Sequence, residues 1–119
     1  MSLPLPPNTT CDIYRVGVAP PASPAVAGVR GHLRGDWRLA DHAKDANWTH
    51  ILLVDAAVDL RDAYTGALFF AEQDSVYIPD QGGTRFKVVF IERVDAGTAN
   101  EHKRAYLDRQ TPAWPSDDL

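Results

Sequence analysis

The chain has 119 residues, 45% of them hydrophobic and 24% charged, with a formal net charge of −4, which fits one folded domain with a modest core. The acidic balance argues against a dedicated nucleic-acid binder, whose footprint is a basic excess. The lone cysteine, Cys11, allows no internal disulfide; no apolar run approaches the roughly 20 residues of a membrane helix, and "MSLPLPPNTT" lacks the basic and apolar regions of a secretory signal, so an intracellular soluble protein is expected.

Residues 1–10 hold three prolines. Proline fixes φ and lacks an N–H, so these residues read as an extended arm, disordered or laid on a partner. "CDIYRVGV" (11–18) alternates and reads as a first strand. In "VAGVRGHLRG" (26–35), Val29 and Leu33 take the parity opposite Arg30, His32 and Arg34, the pattern of a half-buried strand. Gly28 and Gly31 in that strand predict a bulge or bend. Residues 36–47 are polar. "WTHILLVDA" (48–56) predicts a short strand buried on both faces near Ile51 to Val54. Residues 55–73 show no clear period. "DSVYIP" (74–79), "TRFKVVFIERV" (84–94) and "HKRAYLDR" (102–109) read as three more strands, and "TPAWPSDDL" closes the chain as a tail.

The expectation is therefore an all-β fold: a small antiparallel barrel or sandwich of about six strands, with long loops and extended terminal arms. The domain should span residues 11–109. The loops at 36–47 and 55–73 are long for so small a domain, and such loops are usually functional or mobile.

"DQGGT" (80–84) holds the one Gly-Gly pair. A phosphate-binding loop needs Lys and Ser/Thr at its end, opening a helix. Here Thr84, Arg85 and Phe86 open a strand, so the pair reads as a hairpin turn. In the strand that follows, Phe86, Val88 and Phe90 share one face by parity, and Val89 and Ile91 the other. A small barrel should leave one of those faces to water. The second apolar face predicts a further layer or a neighbouring subunit.

No pair of His32, His42, His50 and His102 has metal-ligand spacing, and no cofactor or metal is expected. Asp55, Asp59 and Asp62 lack the Gly and Glu of a calcium loop and read as caps and solvated turn residues. Cys11 has no local base, and no serine sits in an elbow motif. A catalytic role is not expected. Arg30, Arg34, Arg38 and Lys44 read as the solvated face of an edge strand, or as a stripe that meets an acidic partner or nucleic acid. "ALFFA" (67–71) is core or a partner-covered patch; Trp114 is a docking anchor or folds back on its own domain.

The order of parts resembles the head-closure, or stopper, proteins of the head–tail connector in tailed bacteriophages. Those chains run as a Thr-His strand start, an Asp-Ile-Arg-like step, an Asp-x-Val strand, a Gly-containing hairpin and an aromatic-x-Val strand. The matching positions are Thr49 and His50; Asp59, Leu60 and Arg61; Asp74 and Val76; Gly83; and Phe86 and Val88. The likeness spans residues 11–109. The Pro-rich arm and an insertion at 62–73 depart from the pattern, which leaves stopper, adaptor and other neck ring proteins open.

The resemblance implies a β-barrel subunit of a homo-oligomeric ring, commonly twelve-fold, in the virion neck. It further implies a portal or adaptor protein above, a tail terminator or tail tube protein below, passive contact with packaged double-stranded DNA, no membrane and no chemistry. On that reading Leu68, Phe69, Phe70, Val89, Ile91 and Trp114 are candidate contacts between subunits or rings. Arg34, Arg38, Lys44, Asp59 and Asp62 are candidate channel or loop charges. Two other readings stand beside it. One is an SH3- or OB-like module gripping nucleic acid or a peptide through Arg30, Arg34, Trp37 and Trp48. The other is a small β-fold enzyme with a site assembled across subunits around His50 and Asp59.

Overall fold

The structure, a computed structural model, describes residues 5–35 and 48–110. Trp37, Arg38, Lys44 and Trp114 lie outside the described residues. Six strands form: β1 (Thr9–Tyr14), β2 (Val26–Gly35), β3 (His50–Asp55), β4 (Ser75–Ile78), β5 (Thr84–Val94) and β6 (His102–Arg109). All neighbours are antiparallel, and the sheet closes on itself in the order β1-β2-β3-β6-β5-β4. The fold is thus a closed barrel, not a two-sheet sandwich. Its core is filled by Cys11, Ile13, Val29, Leu52, Val54, Val76, Phe86, Val88, Ala105 and Leu107, together with Leu60 from the β3–β4 loop.

Period-two alternation explains most of this packing. Val29 is buried and Leu33 packs against the core, while Arg30 and Arg34 are exposed. Arg34 stands on the outer face of β2, opposite Ile51 of β3. β3 is buried on both faces from Ile51 to Val54, as its unbroken apolar run predicts.

β1 starts and ends earlier than its alternation suggests. Gly17 takes a φ of 82°, and the Val18 N–H donates to the Arg15 carbonyl at 3.1 Å, so the chain turns directly after Tyr14. At the other end, Pro6 and Asn8 bond to the chain's own β2. The Asn8 side-chain amide donates to the Leu33 carbonyl at 2.9 Å and its oxygen accepts the Leu33 N–H at 2.8 Å, continuing the ladder as a strand backbone would.

A bulge forms where Gly28 (φ 64°) interrupts β2. The buried Asp12 carboxylate secures it. One oxygen accepts the Gly28 N–H at 2.9 Å, and the other accepts the Gln81 N–H at 3.0 Å, tying the bulge to the β4–β5 hairpin.

That hairpin is a turn with no room for a ligand at its tip. The Asp80 carboxylate accepts the Gly82 N–H at 2.9 Å, and the Asp80 carbonyl accepts the Gly83 N–H at 2.8 Å. A Cβ on Gly83 would sit 2.1 Å from the Ile78 carbonyl oxygen, whereas one on Gly82 would meet only the Asp80 carboxylate at 3.4 Å. Gly83→Ala should therefore cost about 2 kcal/mol or more through overpacking against backbone, and Gly82→Ala much less. Urea unfolding of the two variants checks this; equal losses would refute the close-approach account.

Candidate docking surface

β4 has four residues and β5 has eleven. β4 therefore covers only the first part of one β5 edge, pairing Thr84 to Lys87. Beyond that point the β3–β4 loop takes its place. The Val88 N–H donates to the Asp74 carbonyl at 3.1 Å, the Gln73 amide donates to the Val88 carbonyl at 2.9 Å, and the Ala63 N–H donates to the Val89 carbonyl at 3.3 Å. The Ile91 N–H donates to the Asp62 carboxylate at 2.7 Å. The loop satisfies backbone groups that would otherwise form an open sheet edge.

Asp62 is the centre of this attachment. It is buried, not a solvated turn residue as its sequence neighbours suggest. Its second oxygen accepts the Tyr64 N–H at 2.9 Å and the Thr65 hydroxyl at 3.0 Å. One carboxylate thus shapes the loop tip and binds it to β5. Leu60, Ala63 and the partly buried Val58 pack beneath it.

The pairing of β5 with β6 slips between Val88 and Phe90. Val89 is the extra residue of a bulge, and the inside–outside order reverses there. Phe86 and Val88 point into the barrel, Phe90 is 42% exposed, and Ile91 packs against the core. The predicted second apolar face of this strand is therefore corrected. Phe90 does not share the inner face, Ile91 packs partly buried against the core, and the β5 edge beside it is bonded by the chain's own loop.

Other apolar side chains do lie outside. Leu68 is 71% exposed, Phe69 72%, Phe70 62% and Tyr64 57%, which places "ALFFA" on the surface and not in the core. An aromatic series runs from there across the barrel. Phe69 meets Tyr64 edge-on at 5.3 Å, Tyr64 meets Phe90 at 6.1 Å, Phe90 meets Tyr106 at 5.9 Å, and Tyr106 meets Trp48 at 4.8 Å. These separations are those of favourable ring pairs. A polar rim flanks the series: Glu92 accepts from the Tyr106 hydroxyl at 3.0 Å and from Arg104 at 3.2 Å. Aromatic groups within a polar rim are the anatomy of a protein interface. Tyr64, Phe90 and Tyr106 are missing from the contacts expected from sequence, and Trp48 is expected only on a nucleic-acid or peptide face, because nothing in their spacing places them side by side. Phe90 on a β5 bulge is the signal that was legible only as parity.

The charged candidates divide. Asp59 is exposed and pairs with Arg15 at 2.6 Å. Arg15 also contacts the buried Asp74 at 2.5 Å; the Asp74 N–H donates to the Arg61 carbonyl at 3.0 Å, and the Asp74 carboxylate accepts the Arg61 N–H at 2.9 Å. Burial pushes the Asp74 carboxyl up, offset in part by the Arg61 N–H and the Arg15 guanidinium; its Oδ1 has no partner. Burial, with Asp12 adding, pushes the Cys11 thiol up to about 12, so it is no nucleophile at neutral pH.

The histidines are scattered. His50 pairs with Leu107 at one end of β3, and His102 pairs with Asp55 at the other, so the two are not neighbours. Asp59 lies beyond the Asp55 end of β3, and the barrel does not bring it to His50. Among the described residues no group of three His, Cys, Asp or Glu side chains is placed to hold a metal. Of the suggested nucleic-acid face, Arg30 and Arg34 are exposed on β2, while Trp48 packs tilted against Tyr106. No protein-family model, curated protein or solved structure matches the chain.

Two outcomes follow for these buried acids. Asp62→Ala should lower stability by about 2 kcal/mol, the scale of lost hydrogen bonds to a charged group, and should speed amide exchange at Ile91 and Tyr64; unchanged exchange there would exclude Asp62 as the anchor. Asp74 has a folded-state pKa above its unfolded value, so its folded form binds the proton more readily. Wild-type stability relative to Asp74→Asn should therefore be greatest at low pH and fall as pH rises through the folded-state pKa. Paired urea titrations from about pH 4 to about pH 8 measure it, and a difference that stays flat or grows with pH would contradict the assignment.

Proposed function

We propose that the chain is a structural subunit of a tailed-phage neck: a head-closure or head–tail connector protein that forms a ring beneath the portal, retains packaged DNA and offers a docking surface to the tail. The observation that carries the assembly part is the aromatic series from Phe69 to Tyr106, which joins Tyr64 and Phe69, on a loop that Asp62 fixes to the barrel, to Phe90 of β5 and Tyr106 of β6. Monomers seldom expose contiguous apolar groups of this size. A closed barrel offers no free edge for strand addition, so a subunit of this shape must associate through side chains. The neck assignment itself rests on the resemblance in strand order and motifs, and the virion neck is the proposed location.

Native mass spectrometry of the protein, alone and with portal and tail proteins encoded beside it, tests the reading. A ring or a portal-bound species is expected. Phe69→Glu and Phe90→Ser should abolish it while leaving the thermal unfolding transition cooperative, since both side chains are exposed. A chain that stays monomeric and joins neither portal nor tail components would overturn the proposal.

A further inference from the structure

A cleft of about 370 Å³ opens where the turn after β1 meets the outer face of β4 and β5. Its chemistry is set by strand register. Ser75 faces Lys87 and Tyr77 faces Arg85 across the β4–β5 ladder. Their in-sequence neighbours Val76, Phe86 and Val88 fill the core, so these four polar side chains form one outward block. Arg15 lines the cleft too, but Asp59 and Asp74 already neutralise it.

Arg85 is different. Its Nε donates to the Ser75 hydroxyl at 3.3 Å, and among the described residues it forms no ion pair. Lys87 forms no ion pair among the described residues either, although Asp108 of β6 stands opposite it and its carboxyl feels the Lys87 charge. No carboxylate lines the cleft. The opposite wall is apolar: Val16 and Val18 are exposed on the β1–β2 turn, and Phe70 projects from the loop. Phe70 holds a φ of 67°, unusual for an aromatic residue, and its N–H donates to the Ala63 carbonyl at 2.7 Å. The cleft thus offers a guanidinium, an ammonium and a phenol on one side and hydrocarbon on the other.

We infer that this cleft docks an acidic, extended segment of a partner protein. Two adjacent carboxylates meet Arg85 and Lys87, and an apolar side chain beside them covers Val16, Val18 and Phe70. Nucleic acid fits less well. Its backbone would leave that apolar wall in water, and a chain of net charge −4 repels a polyanion that extends past one small patch. A lone inorganic oxyanion would likewise leave the apolar wall uncovered. The site is separate from the aromatic series, and its occupant is recognised by charge where that surface works by apolar contact.

The experiment is a fluorescence-anisotropy titration at low ionic strength. The probe is a fluorescein-labelled Gly-Asp-Asp-Leu-Gly peptide. The full-length protein carries Asp117→Asn and Asp118→Asn, so that its own acidic residues do not compete. Saturable binding is expected, weakened roughly tenfold or more by Arg85→Glu, as fits loss of a charge-assisted pair, and weakened by salt. Arg85→Gln and Lys87→Gln, milder changes at outward positions, should each weaken it as well, and a thermal melt confirms that each variant is folded. No saturable binding up to about 1 mM peptide, equal binding of the Gly-Asn-Asn-Leu-Gly peptide, or binding untouched by all three variants would overturn the proposal. So would preference for a short DNA duplex that depends on Arg85. None of these readouts requires a ring, so a negative result here leaves the neck reading standing, and the reverse also holds.

Discussion

The length mismatch between β4 and β5 is the constraint on which the rest of the molecule depends. Four residues cannot cover the edge of eleven, so backbone groups of β5 beyond Lys87 need other partners. The β3–β4 loop supplies them with backbone groups of Ala63 and Asp74, the Gln73 amide and the Asp62 carboxylate. A loop that completes a sheet is not free to vary as a surface excursion would. Its buried polar groups are tied to specific partners, and loss of one leaves a desolvated donor behind.

The same arrangement produces the exposed aromatic surface. The bulge at Val89 reverses the facing of β5, turns Phe90 outward and brings Ile91 into the core. Asp62 then bonds both Ile91 and the Tyr64–Thr65 turn, which sets Tyr64 beside Phe90. Rings fixed in place before binding lose little conformational freedom on contact. With every strand edge inside the barrel, side chains are the remaining means of association, and this surface concentrates them. The polar pair Glu92–Arg104 at its margin gives orientation more than affinity.

Polar anchors recur at each place where the chain leaves regular pairing. Asp12 joins the β2 bulge to the hairpin, Asp62 joins the loop to β5, and Asp74 joins the loop end to Arg15 and Arg61. In sequence these acids look alike. Asp59, three residues from Asp62, is exposed. Nothing in a row of scattered aspartates separates a solvated carboxylate from one that holds a barrel together, because burial is a property of what folds over the residue. The cationic cleft was hidden for the same reason: Arg85 and Lys87 alternate along β5 as any outer face would, and the turn carrying Val16 and Val18 arrives from 67 to 71 positions away.

What the sequence determined by itself was the set of elements. Six alternating or continuous apolar runs separated by Gly, Pro and polar stretches mark six strands, because a strand's side-chain period and its turn residues are local properties. The Gly82–Gly83 hairpin and the bulge at Gly28 were legible in the same way. Tertiary structure alone decided closure into a barrel, the facing of β5 beyond Val88 and the company each polar residue keeps. Parity counting assumes an unbroken ladder, and a single inserted residue with no compositional mark, Val89, ends that assumption. The grouping of Phe90 with Phe86 and Val88, and of Ile91 with Val89, failed there. The apolar surplus in β5 was real, but what it required was a bulge and the chain's own loop, both of which exist only once distant segments are brought together.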